Sequence, residues 1–153
     1  IAFDERSENR PAPPWSLMTL AGEPVSMSDY KGKIVVMDFW GSWCGPCRQE
    51  LPIFQRVYDK YRGRGVVFLG MNWEQPQGSA ADRLKKVRDY VTENKYTFPV
   101  VIDHDRAAVE PYGLTGFPTV YIVDKAGQIR YKNVGVAEGI ETILEDQIES
   151  LMN

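Results

Sequence analysis

Two cysteines, Cys44 and Cys47, are the only ones in 153 residues, and only Gly45 and Pro46 separate them. A bridge this short closes almost no loop, so it constrains the unfolded chain too little to serve as a structural staple. The spacing suits chemistry instead. A thiolate can attack a disulfide sulfur, and a second thiol nearby can then displace the mixed disulfide. The pair falls where the apolar run Ile34-Val35-Val36-Met37-Asp38-Phe39-Trp40 hands over to residues with helical spacing. Cys44 is therefore expected at a helix start, where unpaired N–H groups and the macrodipole favour an anion. Pro46 is compatible with that first turn, because the N–H it lacks has no helical partner there. Cys47 lies about one turn further along the same side and can reach Cys44 Sγ. The prediction is that Cys44 attacks and Cys47 resolves.

Other uses of two cysteines fit less well. A zinc site takes about four ligands, and the only histidine is His104, expected on an exposed loop between two acids. Covalent haem attachment places histidine directly after the second cysteine, where this chain has Arg48. Copper(I) binding by two soft ligands stays open as a non-enzymatic alternative, although no nearby methionine or histidine reinforces it. No metal or other cofactor is assigned.

The elements that must hold the pair can be read from periodicity. Ile34–Trp40 reads as a central strand covered on both faces. Leu51, Phe54, Val57, Tyr58 and Tyr61 recur at helical spacing after Pro46, and Pro52 inside that helix is expected to kink it. Residues 66–71 form a second buried strand. Ser79 and Asp82 make a capping box for a helix carrying Leu84, Val87 and Val91. Residues 99–102 form a short strand, and a short helix is expected near 106–109. Residues 119–123 and 128–134 form a hairpin, and a last helix carries Ile140, Leu144, Ile148 and Leu151. An earlier hairpin joins 15–20 to 24–27 around Ala21-Gly22-Glu23. This order predicts an α/β fold with a mixed central sheet and helices on both faces.

Residues 1–14, polar and then proline-rich, are expected to be a tail or linker, with one domain over 15–153. The chain starts at Ile1 without a methionine, so a mature or excised fragment is expected, and any membrane anchor would lie outside it. A net charge of −3 gives no electrostatic case for nucleic acid or an anionic membrane surface, and no apolar run approaches a membrane span.

Asp38-Phe39-Trp40-Gly41-Ser42-Trp43-Cys44-Gly45-Pro46-Cys47 resembles the active-site stretch of the thioredoxin superfamily, and the resemblance extends from about Trp15 to Met152. Pro13–Leu17 with Val25–Lys33 is similar to the amino-terminal hairpin extension of the TlpA/ResA-like branch. The central αβ insertion between Asn72 and Pro99 fits that branch as well. Gly116-Phe117-Pro118-Thr119 sits where the family carries a cis-proline loop facing the cysteines. The resemblance implies a thiol–disulfide oxidoreductase that reduces or exchanges disulfides in other proteins, often outside the cytoplasm. It implies periplasmic or membrane-anchored placement, roles in cell redox homeostasis and antioxidant activity, an upstream thiol reductant, and cytochrome c maturation as one use, with apocytochrome c as partner. Thiol peroxidases are the alternative enzyme class, but their motif has threonine where Gly41 stands here.

Four further assignments follow the resemblance. Asp38 shares a strand face with Ile34, Val36 and Trp40. It is either a buried acid satisfied by backbone or water, or a proton acceptor for Cys47 like the matching aspartate of thioredoxin. Glu50, three residues after Cys47, either complements the helix dipole or acts as the acid that ResA-like proteins place beside the buried cysteine. Phe117 and Pro118 would bind an extended substrate segment through its main chain. Trp43, with Gly45 and Pro46, would touch substrate beside the nucleophile.

Overall fold

The run Ile34–Trp40 is buried at every position and sits in the middle of the sheet. This is seen in a computed structural model describing residues 4–152. Those residues form β1 (Asp4–Pro11), β2 (Ser16–Thr19), β3 (Pro24–Ser26), β4 (Ile34–Trp40), α1 (Gly45–Tyr61), β5 (Val66–Asn72) and α2 (Ala80–Glu93). β6 (Val100–Ile102), α3 (Val109–Tyr112), β7 (Thr119–Val123), β8 (Gln128–Val134) and α4 (Ile140–Leu151) complete them.

The sheet order is β1-β8-β7-β4-β5-β6-β2-β3. β4, β5 and β6 are parallel, whereas β7 and β8 return antiparallel on one side and the β2–β3 hairpin joins antiparallel to β6 on the other. The central αβ insertion thus has a structural use: β6 is the edge on which the amino-terminal hairpin docks.

Strand alternation divides the core in two. Ile34, Val36 and Trp40 face Leu51, Phe54 and Val57 of α1, with Leu144 and Ile148 of α4 beside them. Val35, Met37 and Phe39 face the other way, onto Val109 and Tyr112 of α3 and onto Trp15. Burying each such side chain contributes about 1.5–3 kcal/mol, so the two faces of β4 hold its register firmly. Asp38 shares the α1 face, as alternation predicts, and the cysteine pair belongs to that same cluster. α1 runs unbroken through Pro52, which points to solvent.

Three expectations need correction. Residues 1–14 are not simply a tail: Asp4–Pro11 pairs antiparallel with β8, while residues 1–3 lie outside the described residues. Edge pairing needs only main-chain groups, so a charged stretch can supply it. Arg10 anchors the strand by donating from Nη2 to the Tyr112 carbonyl at 3.0 Å, and Gln147 Nε2 donates to Glu5 Oε2 at 2.8 Å. The short helix begins at Val109, not near Arg106, because Arg106 takes a positive φ of 64°. Asp103 Oδ2 instead accepts the N–H groups of Ala108 and Val109, which start the turn later. Finally, His104 is half-buried, with Nε2 2.8 Å from Asn72 Oδ1.

Candidate active site

Cys44 caps α1 in an extended conformation, and its Sγ accepts the Cys47 N–H at 3.2 Å. Pro46 occupies the first turn, as expected. The two cysteines form a disulfide, with Cα atoms 5.3 Å apart. Cys44 keeps 4% of its surface and Cys47 none, while Gly45 and Pro46 are exposed. An incoming group therefore meets Cys44 first, and in the dithiol form the helix-start N–H groups would be available to its thiolate.

The interface of β4 and α1 also holds an acid pair. Asp38, on β4, and Glu50, one helical turn beyond Cys47, are both fully buried and in mutual contact. Among the described residues, none of the four carboxyl oxygens has a hydrogen-bond partner. Burial, reinforced by the charge of Glu50, holds Asp38 well above the usual carboxylate range. Burial also pushes Glu50 up to about 7. Two buried carboxylates repel one another when both are ionised, so the pair favours holding at least one proton.

Three half-buried aromatic rings cluster around Trp43, the residue before Cys44. The Trp43 ring centroid lies 5.3 Å from Phe117 and 5.5 Å from Trp73, and Trp73 stacks on Phe117 at 5.9 Å. The Phe117–Pro118 peptide bond is cis, and this loop reaches the cysteine pair through the Phe117–Trp43 contact. Arg106 lies over Trp73, 5.0 Å from its centroid. Trp73 and Arg106 were not singled out from sequence.

The turn that delivers Cys44 is tied to the end of β5. Trp73 N–H donates to the Trp40 carbonyl, and Trp43 Nε1 donates to the Trp73 carbonyl, both at 3.0 Å. Trp43 therefore crosses Gly41. A Cβ built on Gly41 would lie 2.6 Å from the Trp73 carbonyl oxygen and closer still to the Trp43 indole. The threonine of the peroxidase motif is thus sterically incompatible with this turn. Gly41→Ala is expected to cost about 1–3 kcal/mol by overpacking and to displace the indole. Thermal unfolding together with tryptophan emission checks this. An unchanged melting temperature and spectrum would show the turn to be looser than described.

The AhpC/TSA family profile matches residues 9–132. The thioredoxin-like protein YneN of Bacillus subtilis is 37% identical over 128 residues, covering 84% of this chain and 72% of that protein. The thiol-disulfide oxidoreductase ResA of Geobacillus kaustophilus is 35% identical over 136 residues, covering 88% and 74%. Among solved structures, a thioredoxin-family thiol:disulfide interchange protein from Chlorobium tepidum aligns with a TM-score of 0.77 at 26% identity, covering 97% of this chain and 99% of that one. With a helix-capping Cys44–Cys47 disulfide set in a thioredoxin-like sheet, the chain belongs to the AhpC/TSA family and is a ResA-like thiol–disulfide oxidoreductase.

Proposed function

We propose that the chain is an extracytoplasmic protein-disulfide reductase in which Cys44 is the attacking sulfur and Cys47 the resolving one. The observation that supports this reading is that Cys47 is fully buried one turn into the helix that Cys44 caps, with Glu50 one turn further along in a buried acid pair with Asp38. Cys44 thiolate attacks a substrate disulfide, and one substrate sulfur leaves as a thiolate that takes a proton from solvent. Cys47 then gives its proton to the Asp38–Glu50 pair and attacks Cys44 Sγ. The second substrate sulfur departs as a thiolate and is protonated likewise, two electrons have passed to the substrate, and the Cys44–Cys47 disulfide remains. An upstream thiol reductant resets it.

Substrate would lie across Trp43, Gly45, Pro46, Phe117 and Pro118, with an extended segment against the main chain before Pro118. The redox domain then comprises the residues from Trp15 onward together with β1, an edge strand of the same sheet. Placement in the periplasm or at a membrane surface, and action on apocytochrome c, rest on the resemblance to ResA-like proteins. Contributions to redox homeostasis and antioxidant protection would follow from the same exchange.

Equilibrating the pair with glutathione and assaying insulin reduction tests the direction of flow. A reductase is expected on the reducing side, near the thioredoxin value of about −270 mV. A potential near about −120 mV would assign oxidation instead. Peroxide consumption is expected to be negligible.

A further inference from the structure

Glu74 is an acid that neither the sequence motif nor the proposed proton route uses, and it is 2% exposed. Both of its oxygens are engaged. Oε2 accepts from the Ser42 N–H at 2.9 Å and from Asn72 Nδ2 at 2.8 Å, and Oε1 accepts from the Ser42 hydroxyl at 2.5 Å. Ser42 is two residues before Cys44, and its carbonyl accepts from Arg48 Nη2 of α1 at 2.7 Å. The carboxylate therefore grips the backbone and the side chain of the turn that carries the attacking sulfur. No ion pair to Glu74 is formed among the described residues within salt-bridge distance.

We infer that Glu74 is a positioning residue that holds the Cys44 turn through Ser42 and, by its fixed negative charge beside that turn, keeps the cysteine pair reducing. This rests on Cys44 being the attacking sulfur. A carboxylate held near Cys44 disfavours thiolate there. The dithiol form is stabilised whenever its thiolate is, so the anion shifts the equilibrium toward the disulfide and lowers the potential. The other charged groups near the turn are the buried Asp38 and Glu50 of β4 and α1, Arg48 on α1, and Arg106 over Trp73. Asp82, Arg83 and Lys86 line the small cavity shared by Glu74 and Trp43, and His104 contacts Asn72. All of these persist when Glu74 alone is changed.

Geometry separates the two effects. In Glu74→Gln, Oε1 of the amide can accept from Ser42 N–H and Asn72, while its NH2 donates to the Ser42 hydroxyl, which can reverse roles. Every hydrogen bond survives and only the charge is lost. Glu74→Leu removes both. The pair is equilibrated with reduced and oxidised glutathione, two thiols to the dithiol and one disulfide back, and Cys44 is titrated by its thiolate absorbance. Neither measurement needs a protein substrate, so each reads the pair even if the proposed direction of flow fails. Glu74→Gln is expected to move the glutathione equilibrium on the order of fivefold toward the dithiol, about 20 mV, and to lower the pH of thiolate formation. Glu74→Leu is expected to reduce kcat/KM for insulin by at least about tenfold, because the turn loses its hold. A wild-type equilibrium and thiol titration in Glu74→Gln would overturn the charge effect. Undiminished kcat/KM in a folded Glu74→Leu would overturn the positioning. Should the leucine variant not fold, the glutamine variant still decides the charge effect, and Ser42→Ala, which loses the hydroxyl contact to Glu74, decides the positioning: undiminished kcat/KM there would overturn it.

Discussion

A Cys47→Ser chain is expected to accumulate covalent mixed disulfides with its substrates and to turn over at less than about a thousandth of the wild-type rate. The reason is spatial. Once Cys44 has joined a substrate sulfur, the new bond is best reached by a group already packed against Cys44 Sγ. Cys47 is that group: it lies on the same helical face and is bonded to Cys44 in the oxidised chain. Serine keeps the volume but lacks the nucleophile. Cys44→Ser should abolish both attack and trapping, because Cys47 has no exposed surface with which to meet a substrate. Non-reducing gels and intact-mass measurement distinguish the variants: adducts on Cys47→Ser, none on Cys44→Ser. Ordinary turnover by Cys47→Ser would refute the two-cysteine mechanism.

What the sequence made legible is what local periodicity encodes. The buried run Ile34–Trp40, the helix after Pro46 and the capping box at Ser79 each lie within one element, and all three stand as read. Asp38 could be placed on the α1 face because alternation along a strand needs no knowledge of the partner strand. Its meeting with Glu50 was less accessible, since that contact spans β4 and α1 and follows from packing rather than spacing. Glu74 was hidden for a stronger version of the same reason: its partner Ser42 is 32 residues away. A clue existed nonetheless. β4 and β5 run parallel in register, with Trp40 opposite Asn72, so residues just after Asn72 must adjoin the Cys44 turn. β1 escaped notice because an edge strand is held by main-chain bonds that a polar, proline-containing sequence can still supply.

Between about pH 4.5 and about pH 7, the stability of the oxidised chain is expected to carry a falling component that disappears in Glu50→Gln. Glu50 has an ordinary value of 4.5 and is pushed up to about 7 in the folded protein, chiefly by burial. In that window the native state holds a proton that the unfolded chain has released. Unfolding thus releases protons, and stability falls as pH rises. The contribution is fully present below the ordinary value and is lost as pH passes the folded one. The displacement corresponds to about 3 kcal/mol, and Asp38 adds a change of the same sign. Surface acids such as Asp82 and Glu149 are shifted downward and act oppositely, but they are common to both proteins, so the difference between wild type and variant reads Glu50 together with the part of the Asp38 shift that Glu50 causes. Urea unfolding should give similar stabilities near pH 5 and a Glu50→Gln advantage of about 3 kcal/mol near pH 8. Parallel curves would mean that Glu50 does not titrate in this range. In the proposed mechanism the same cost has a chemical use: an acid that is costly to ionise when buried would be, once ionised, an effective acceptor for the Cys47 proton. Resolution of a mixed disulfide should therefore accelerate through about pH 7 in the wild type and lose that limb in Glu50→Gln.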